Sequence, residues 1–332
     1  IKIFLFSHNV KNNIKYKNLK IIDKSFKTFK KKNNFNLIIS SAINLFSFLR
    51  INKNIKVIFS MQNHLPAIFL AIIFKKKIII RNSEEIFGAT KYADHKISAY
   101  FVLILKLFLY SFSDSIIAIS KKSKKSLEQL GINKLKIRLI YNPFITKIIK
   151  NINKNYFYGK SFNIISVGRL TKQKNFSSLI DIISILQKKY PFINLKIIGN
   201  GPDYNILNLK VKKNKKINII QWKKNLHKHY KKSHLFILNS YYEGLPNILI
   251  EAINNNVPSI ATNCSGAMDI LMNGKGGFIV PVGDKNAMIN KIEYVIQNYK
   301  KSVFKTKISK KNIFRFNQQN CNKYYIHIKK YI

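Results

Sequence analysis

Glu243 and Glu251 stand eight residues apart in "NSYYEGLPNILIEAINNNVPSIAT" (Asn239–Thr262), with a Gly-x-Pro turn between them. The chain has 13 acidic residues against 60 basic ones, so two carboxylates at this spacing ask for a chemical reason. The apolar run "HLFILNS" before them reads as a buried strand, and "YYEGLPN" falls at its carboxyl end. Pro246 suits the first helical position, where its missing N–H costs nothing. A helix from there sets Asn247, Glu251 and Asn254/Asn255 on one stripe and turns Ile248, Leu249, Ala252 and Ile253 to the sheet. Glu243 then sits in the loop at the helix entrance, with Glu251 a little over one turn inside. The N–H groups of Gly244, Leu245 and Asn247 and the positive end of the helix dipole meet there, which makes an anion site. A ligand carrying a diphosphate and several hydroxyls explains acids beside such a site, because the amides take the phosphate and the carboxylates accept from the hydroxyls. The plainer alternative is an acid in the first turns of a helix with a solvated face.

The elements that position these residues can be read from the pattern around them. "FNIISVG", "INLKIIGNG", "KINIIQW", "HLFILNS", "VPSIAT" and "GGFIVPVG" are short apolar runs, and amphipathic stretches such as "NFSSLIDIISILQKKY" lie between them. Strands alternating with helices predict a parallel sheet covered on both faces, a Rossmann-like domain over residues 162–312. The first half repeats the pattern, with strands expected at "IKIFLFS", "NLIISSA", "KVIFSMQ", "KKIIIRNS", "DSIIAIS" and "IRLIYNP". Residues 1–145 form a first Rossmann-like domain, 146–161 a linker, and 313–332 a terminal helix returning to the first domain. Two such domains place a ligand in the crevice between the carboxyl ends of both sheets. The chain opens at Ile1, and "FSHNVKNNIKYK" holds no glycine after the first strand, so an earlier strand, turn and helix are expected to precede it.

Composition narrows the classes. A net charge of +47 suggests nucleic acid, but only five of the 60 basic residues are Arg, and base readers lean on Arg forks. Specific nucleic-acid binding is therefore disfavoured, and a basic surface beside anionic lipid is the better use of the charge. Cys264 and Cys321 show neither metal spacing nor a disulfide framework, which fits a reducing compartment. The apolar runs Leu65–Phe74 and Ala99–Phe112 are too short to span a bilayer, and the second carries Lys106. Buried helix is the plain reading of both, and contact with a membrane interface the sharper one.

The segment "EGLPNILIEA" resembles the E-x7-E signature of retaining nucleotide-sugar glycosyltransferases of family 4, which have the GT-B fold. "VGRLTKQKNF" is similar to that family's Gly-Arg-Leu and Lys-Asn phosphate segment, and "IIGNGPD" to its Gly-x-Gly turn. "IATNCSGAMDIL" and "NGKGGFIVPVGD" resemble the family's segments C-terminal to the E-x7-E helix, so the likeness runs from about Ile55 to Asp284. It implies an α/β, GT-B architecture and sugar transfer, with retention by front-face attack, from a nucleotide sugar, UDP-linked by preference, to a glycan or lipid-linked acceptor. The sugar would be a hexosyl or N-acetylhexosaminyl group. The setting it implies is bacterial surface polysaccharide or glycoconjugate synthesis at the cytoplasmic face of the membrane. Arg169 and Lys174 would bind the diphosphate and neutralise its departing charge, and Glu243 would hold the transferred sugar. Glu251 would hold the ribose, Gly244 and Leu245 the distal phosphate, and Asn247, Gly168 and Gly199 would complete the donor site. Trp222 and Lys223 match the positions that hold the base, although Gln221 stands where the family commonly has Gly. No cofactor and no divalent metal are implied, and the chain has no Asp-x-Asp to hold one.

In the first domain, Arg81, Asn82 and Ser83 resemble a segment that faces donor or acceptor in polysaccharide-type members. Glu84 beside them is either part of that cleft or a local helix cap. His64 follows another strand and is a candidate for the acceptor pocket, with a structural histidine as the plainer reading. His8, His227, His229 and His234 lack ligand spacing with any nearby acid and read as surface. A nucleotide-binding module without catalysis, a sugar-nucleotide epimerase of the same architecture and a basic nucleic-acid binder stay open as other readings.

Overall fold

The computed structural model describes residues 3–6, 19–22, 34–61, 64–149, 157 and 159–332. His8 and half of the linker lie outside the described residues. β1 (Ile3–Phe6) and β2 (Leu19–Ile22) pair in parallel as a small sheet. After α1 (Asn34–Ile51) comes a parallel sheet of β3 (Val57–Ser60), β4 (Lys77–Asn82), β5 (Ser115–Ala118) and β6 (Ile137–Leu139), in that order. Between its strands run α2 (His64–Ile73), α3 (Ile86–Lys91), α4 (Lys96–Ser111) and α5 (Lys121–Gln129).

The second half holds a six-stranded parallel sheet of β7 (Phe162–Val167), β8 (Ile193–Ile198), β9 (Ile217–Ile220), β10 (Leu235–Leu238), β11 (Ser259–Thr262) and β12 (Phe278–Val280). Its crossovers are α6 (Phe176–Lys189), α7 (Tyr204–Val211), α8 (His227–Lys231), α9 (Asn247–Asn254) and α10 (Ser265–Ile270). α11 (Lys285–Gln297), α12 (Tyr299–Lys311) and α13 (Asn320–Lys329) complete the chain. The order β12-β11-β10-β7-β8-β9 reverses between β10 and β7, so the loops after these two strands open onto the switch-point crevice where ligands of such sheets bind. Burial on both faces explains the continuous apolar strands. Ile164 packs with Leu179 and Ile183 of α6 and Ile292 of α11. Its neighbour Ile165 packs with Leu249 and Ile253 of α9.

α13 crosses back onto the first sheet. Tyr324, Ile328 and Tyr331 cover Ile79, Ile117 and Ile140, and His327 Nε2 shares a 2.8 Å hydrogen bond with Ser115 Oγ. Among the described residues, no helix is long and apolar enough to cross a membrane.

Three expectations need correction. "NLIISSA" is helix, inside α1, because its short apolar run fits either period and the longer stretch packs Leu45, Phe48 and Leu49 on the core at helical spacing. His234 is buried, not surface: its Nδ1 accepts the Asn163 N–H at 2.9 Å and its ring stacks on Phe162. α4 is not a buried helix, since only Tyr110 of its residues is fully enclosed while Ile97, Phe101, Ile104 and Phe108 are exposed.

Candidate active site

Two loops at the switch point are laced together by one main-chain and two side-chain hydrogen bonds. Tyr241 N–H donates to the Gln173 carbonyl at 2.9 Å, Gln173 Nε2 to the Tyr242 carbonyl at 2.8 Å, and Asn239 Nδ2 to the Asn175 carbonyl at 3.1 Å. Asn175 takes up the left-handed conformation (φ 51°), which turns the chain from the loop after β7 into α6. This lacing brings Lys174 Nζ onto Glu243 Oε1, and Ser240 Oγ donates to the same oxygen at 2.7 Å. Glu243 is only 7% exposed, so its charge is held by a cation and a hydroxyl rather than by bulk water.

The glycines here make room. A side-chain carbon at Gly199 would lie 1.8 Å from the Gly168 carbonyl oxygen, and one at Gly244 would lie 1.9 Å from that of Ser83. The Gly199 and Gly168 N–H groups are committed to Ile220 and Ile198 carbonyls, both at 3.0 Å, so these residues offer close approach rather than donors. The amides of Gly244, Leu245 and Asn247 have no hydrogen-bond acceptor among the described residues. Pro246 stands one position earlier than its sequence suggests, as the cap of α9 (ψ 94°), and its carbonyl accepts from Leu249. Arg169 lies exposed on the loop after β7, in no ion pair among the described residues.

On α9, burial raises the Glu251 carboxyl above the ordinary range, opposed by a hydrogen bond from Tyr230 and the charge of His227. His227 is exposed, as its sequence suggests, and reaches Asn255 Oδ1 through its Nδ1. The far end of the Asn stripe is not solvated: Asn254 is buried, with Nδ2 donating to the Lys147 carbonyl at 3.0 Å and Oδ1 accepting from Ile149 N–H at 3.1 Å. The chain leaving the first domain runs over that end of the helix. Trp222 and Lys223 are exposed past β9, and the Trp222 N–H is held by Asn200 Oδ1 at 3.0 Å.

The first domain meets these loops directly, through Ser83 at Gly244. Arg81 spans the crossing: its Nε donates to Tyr324 Oη at 3.2 Å and its Nη2 to Asn142 Oδ1, while Asn142 Nδ2 reaches Asn247 Oδ1 at 3.4 Å. Asn82 is buried, with Nδ2 on the Glu84 carbonyl and Ser123 Oγ. Glu85, not Glu84, caps α3 by accepting the Gly88 N–H at 2.6 Å, and Glu84 pairs with Lys106 of α4. His64 Nδ1 shares a 2.9 Å bond with Ser60 Oγ, its ring also bonds the Arg81 main chain, and burial pushes its pKa down to about 4. A neutral ring with both nitrogens engaged is the structural histidine of the plainer reading.

Sequence reasoning passed over Ser240, Gln173, Tyr230 and Lys106. Ser240 lies two residues past β10 on the way to Glu243, so its place was available; the other three have no local signal, because each meets its partner through the tertiary fold.

The arrangement therefore offers a cation on a carboxylate, unsatisfied amides at a helix entrance and a second, burial-raised carboxyl along the same helix. The family described as "Glycosyl transferases group 1" matches residues 147–311. The amylovoran biosynthesis glycosyltransferase AmsD of Erwinia amylovora is 30% identical over 250 residues, 71% of this chain and 67% of that protein. The capsular polysaccharide biosynthesis glycosyltransferase CapM of Staphylococcus aureus is 31% identical over 222 residues, 60% of this chain. The match spans only 57% of CapM. Among solved structures, Anabaena HepE in complex with UDP-glucose superposes with a TM-score of 0.72 at 15% identity, over 95% of this chain and 86% of that one.

Proposed function

The chain belongs to the group 1 glycosyl transferases and has the GT-B fold, and from that premise we propose that it moves a sugar from a nucleotide-sugar donor, UDP-linked by preference, to a glycan or lipid-linked acceptor in bacterial surface polysaccharide synthesis. The observation that carries this reading is the Lys174–Glu243 pair laced into the switch point beside the amides of Gly244 and Leu245. As the C1–O bond breaks, the departing nucleoside diphosphate gathers negative charge and the transferred carbon becomes oxocarbenium-like before the acceptor oxygen bonds to it. Lys174, with Arg169 beside it, would neutralise the departing diphosphate, and the Gly244 and Leu245 amides would receive its distal phosphate. Such oriented donors are worth about 3–4 kcal/mol each. Glu243 would accept from hydroxyls of the transferred hexose or N-acetylhexosamine, and Glu251 from the ribose. The exposed strip at Trp222 and Lys223 is the place for the base. Transfer would keep the anomeric configuration by front-face attack and need no divalent cation, the charge being met by Lys174 and Arg169. The protein would work against the cytoplasmic face of the membrane, where a lipid-linked acceptor is found.

A thermal-shift panel with UDP, GDP and ADP and their sugars tests the donor side. Ligand at about a hundredfold its Kd adds roughly 2.7 kcal/mol, and the shift is expected with one base and to shrink in Glu251→Ala. Because burial raises the Glu251 carboxyl, nucleotide affinity should also fall on acidification at higher pH than an ordinary glutamate would give, a slope that Glu251→Gln flattens. No shift with any nucleotide would leave the fold without its donor site.

A further inference from the structure

α4 is amphipathic in the inverted sense. Its inner side presents Leu103, Lys106 and Tyr110, with its one mid-helix cation turned to Glu84. Its outer side presents Ile97 (90% exposed), Phe101 (62%), Ile104 (61%) and Phe108 (63%). α2 packs beside it and α1 beside α2, and Phe69 and Ile73 of α2 are likewise exposed, so the apolar face is shared by neighbouring helices. Exposed apolar area of this extent on a globular domain marks an interaction surface.

The charge at its border indicates what covers it. Ile73 also lines a hollow of about 390 Å³ whose other walls are Arg50, Lys53, Lys75, Lys76, Leu49 and Phe74. An apolar face running into a four-cation hollow fits acyl chains beside a phosphate-bearing headgroup. A second copy of the chain, itself carrying +47, is repelled at the same border.

We infer that the outward face of α1, α2 and α4 docks on a bilayer containing anionic phospholipid, with the Arg50–Lys53–Lys75–Lys76 hollow taking a lipid phosphate. The inference deepens the acceptor side of the function proposed above and rests on it for its purpose. Lys106 bonds α4 to Glu84, and the adjoining Ser83 meets Gly244, so a helix lying on the lipid is joined through two contacts to the loop that would hold the donor. A lipid-linked acceptor would then enter the cleft from the surface that carries it.

The test is flotation of the full chain with vesicles of phosphatidylcholine alone and with added phosphatidylglycerol, at low and high salt. The wild type is compared with Phe101→Ser/Phe108→Ser and with Lys75→Glu/Lys76→Glu, and the nucleotide thermal shift is recorded for each. Anionic vesicles should float the wild type, and each variant should bind at least about tenfold more weakly while keeping its nucleotide shift. Where the double Phe variant no longer unfolds cooperatively, Ile97→Ser serves in its place. Binding of the Phe variant equal to wild type overturns the inference, since charge alone then suffices. So does equal binding to neutral vesicles. A wild-type dimer that the Phe substitutions split, with vesicle binding unchanged, assigns the face to a second copy and overturns it as well. Vesicle binding without any nucleotide shift fails the donor reading and leaves the docking face standing, and the converse result does the opposite.

Discussion

Asp269 Oδ2 accepts the backbone N–H of Lys121 at 2.6 Å, so an acid of the second domain caps the first turn of α5 in the first. Ser120 and Ser265 hydroxyls meet at 3.1 Å beside it, and Arg315 Nη2 donates to the Asp269 carbonyl at 2.9 Å. This capping contact is one place where the two domains are joined by hydrogen bonds.

Asp269→Ala removes a cap, which costs about 1–2 kcal/mol, and is expected to lower the thermal midpoint. Asp269→Asn keeps an acceptor oxygen and should lose less. Burial holds the Asp269 carboxyl above the usual range, so its charged form is disfavoured in the folded chain. The contribution of this ionisation to stability is therefore fullest at low pH and declines as pH rises through the folded value. Guanidinium melts of the three forms across the acid range check both statements, and identical midpoints would remove the contact from the stability of the domain pair.

Lys174→Ala is expected to act twice. On the proposed mechanism it would strip the departing diphosphate of a cation, for a loss of about two to three decades in kcat, and it leaves Glu243 buried with only the Ser240 hydroxyl. The second effect destabilises by about 3 kcal/mol. Lys174→Ala/Glu243→Gln should recover much of the stability and none of the rate. Stability that fails to recover in the double variant would mean that the ion pair is not what holds this corner.

His64 gives a pH signature. Its pKa falls from 6.5 unfolded to about 4 folded, with burial as the largest cause. For a depressed base the stabilising contribution is present above the unfolded value and lost as pH falls toward the folded one, here between about pH 6.5 and 4. The shift corresponds to about 3 kcal/mol at most. His64→Gln should flatten the decline of the melting temperature in that window, and parallel wild-type and variant profiles would show that the ring is not the titrating group.

The second domain was legible in the sequence because its signals are local. Each strand is a run buried on both faces, each turn carries its own Gly, Pro or Asn, and Glu243 and Glu251 lie on one loop and one helix that their spacing alone places together. The membership in a transferase family rests on the same short-range pattern. The first domain was less legible: "NLIISSA" fits helix or strand until its neighbours bury one side of it, and an apolar α4 reads as core until the packing turns its own Lys106 inward to Glu84 and its apolar face out. The return of the terminal helix follows from the resemblance, but the pairings that build the site and lock the domains together were beyond the sequence. Lys174 and Glu243 are 69 residues apart, Lys121 and Asp269 are 148 apart, and Arg81 reaches Tyr324 across 243. Local spacing fixes which side chains share a face of one element; which faces then meet is set by strand order and by the crossing of α13, and only the tertiary structure decides that.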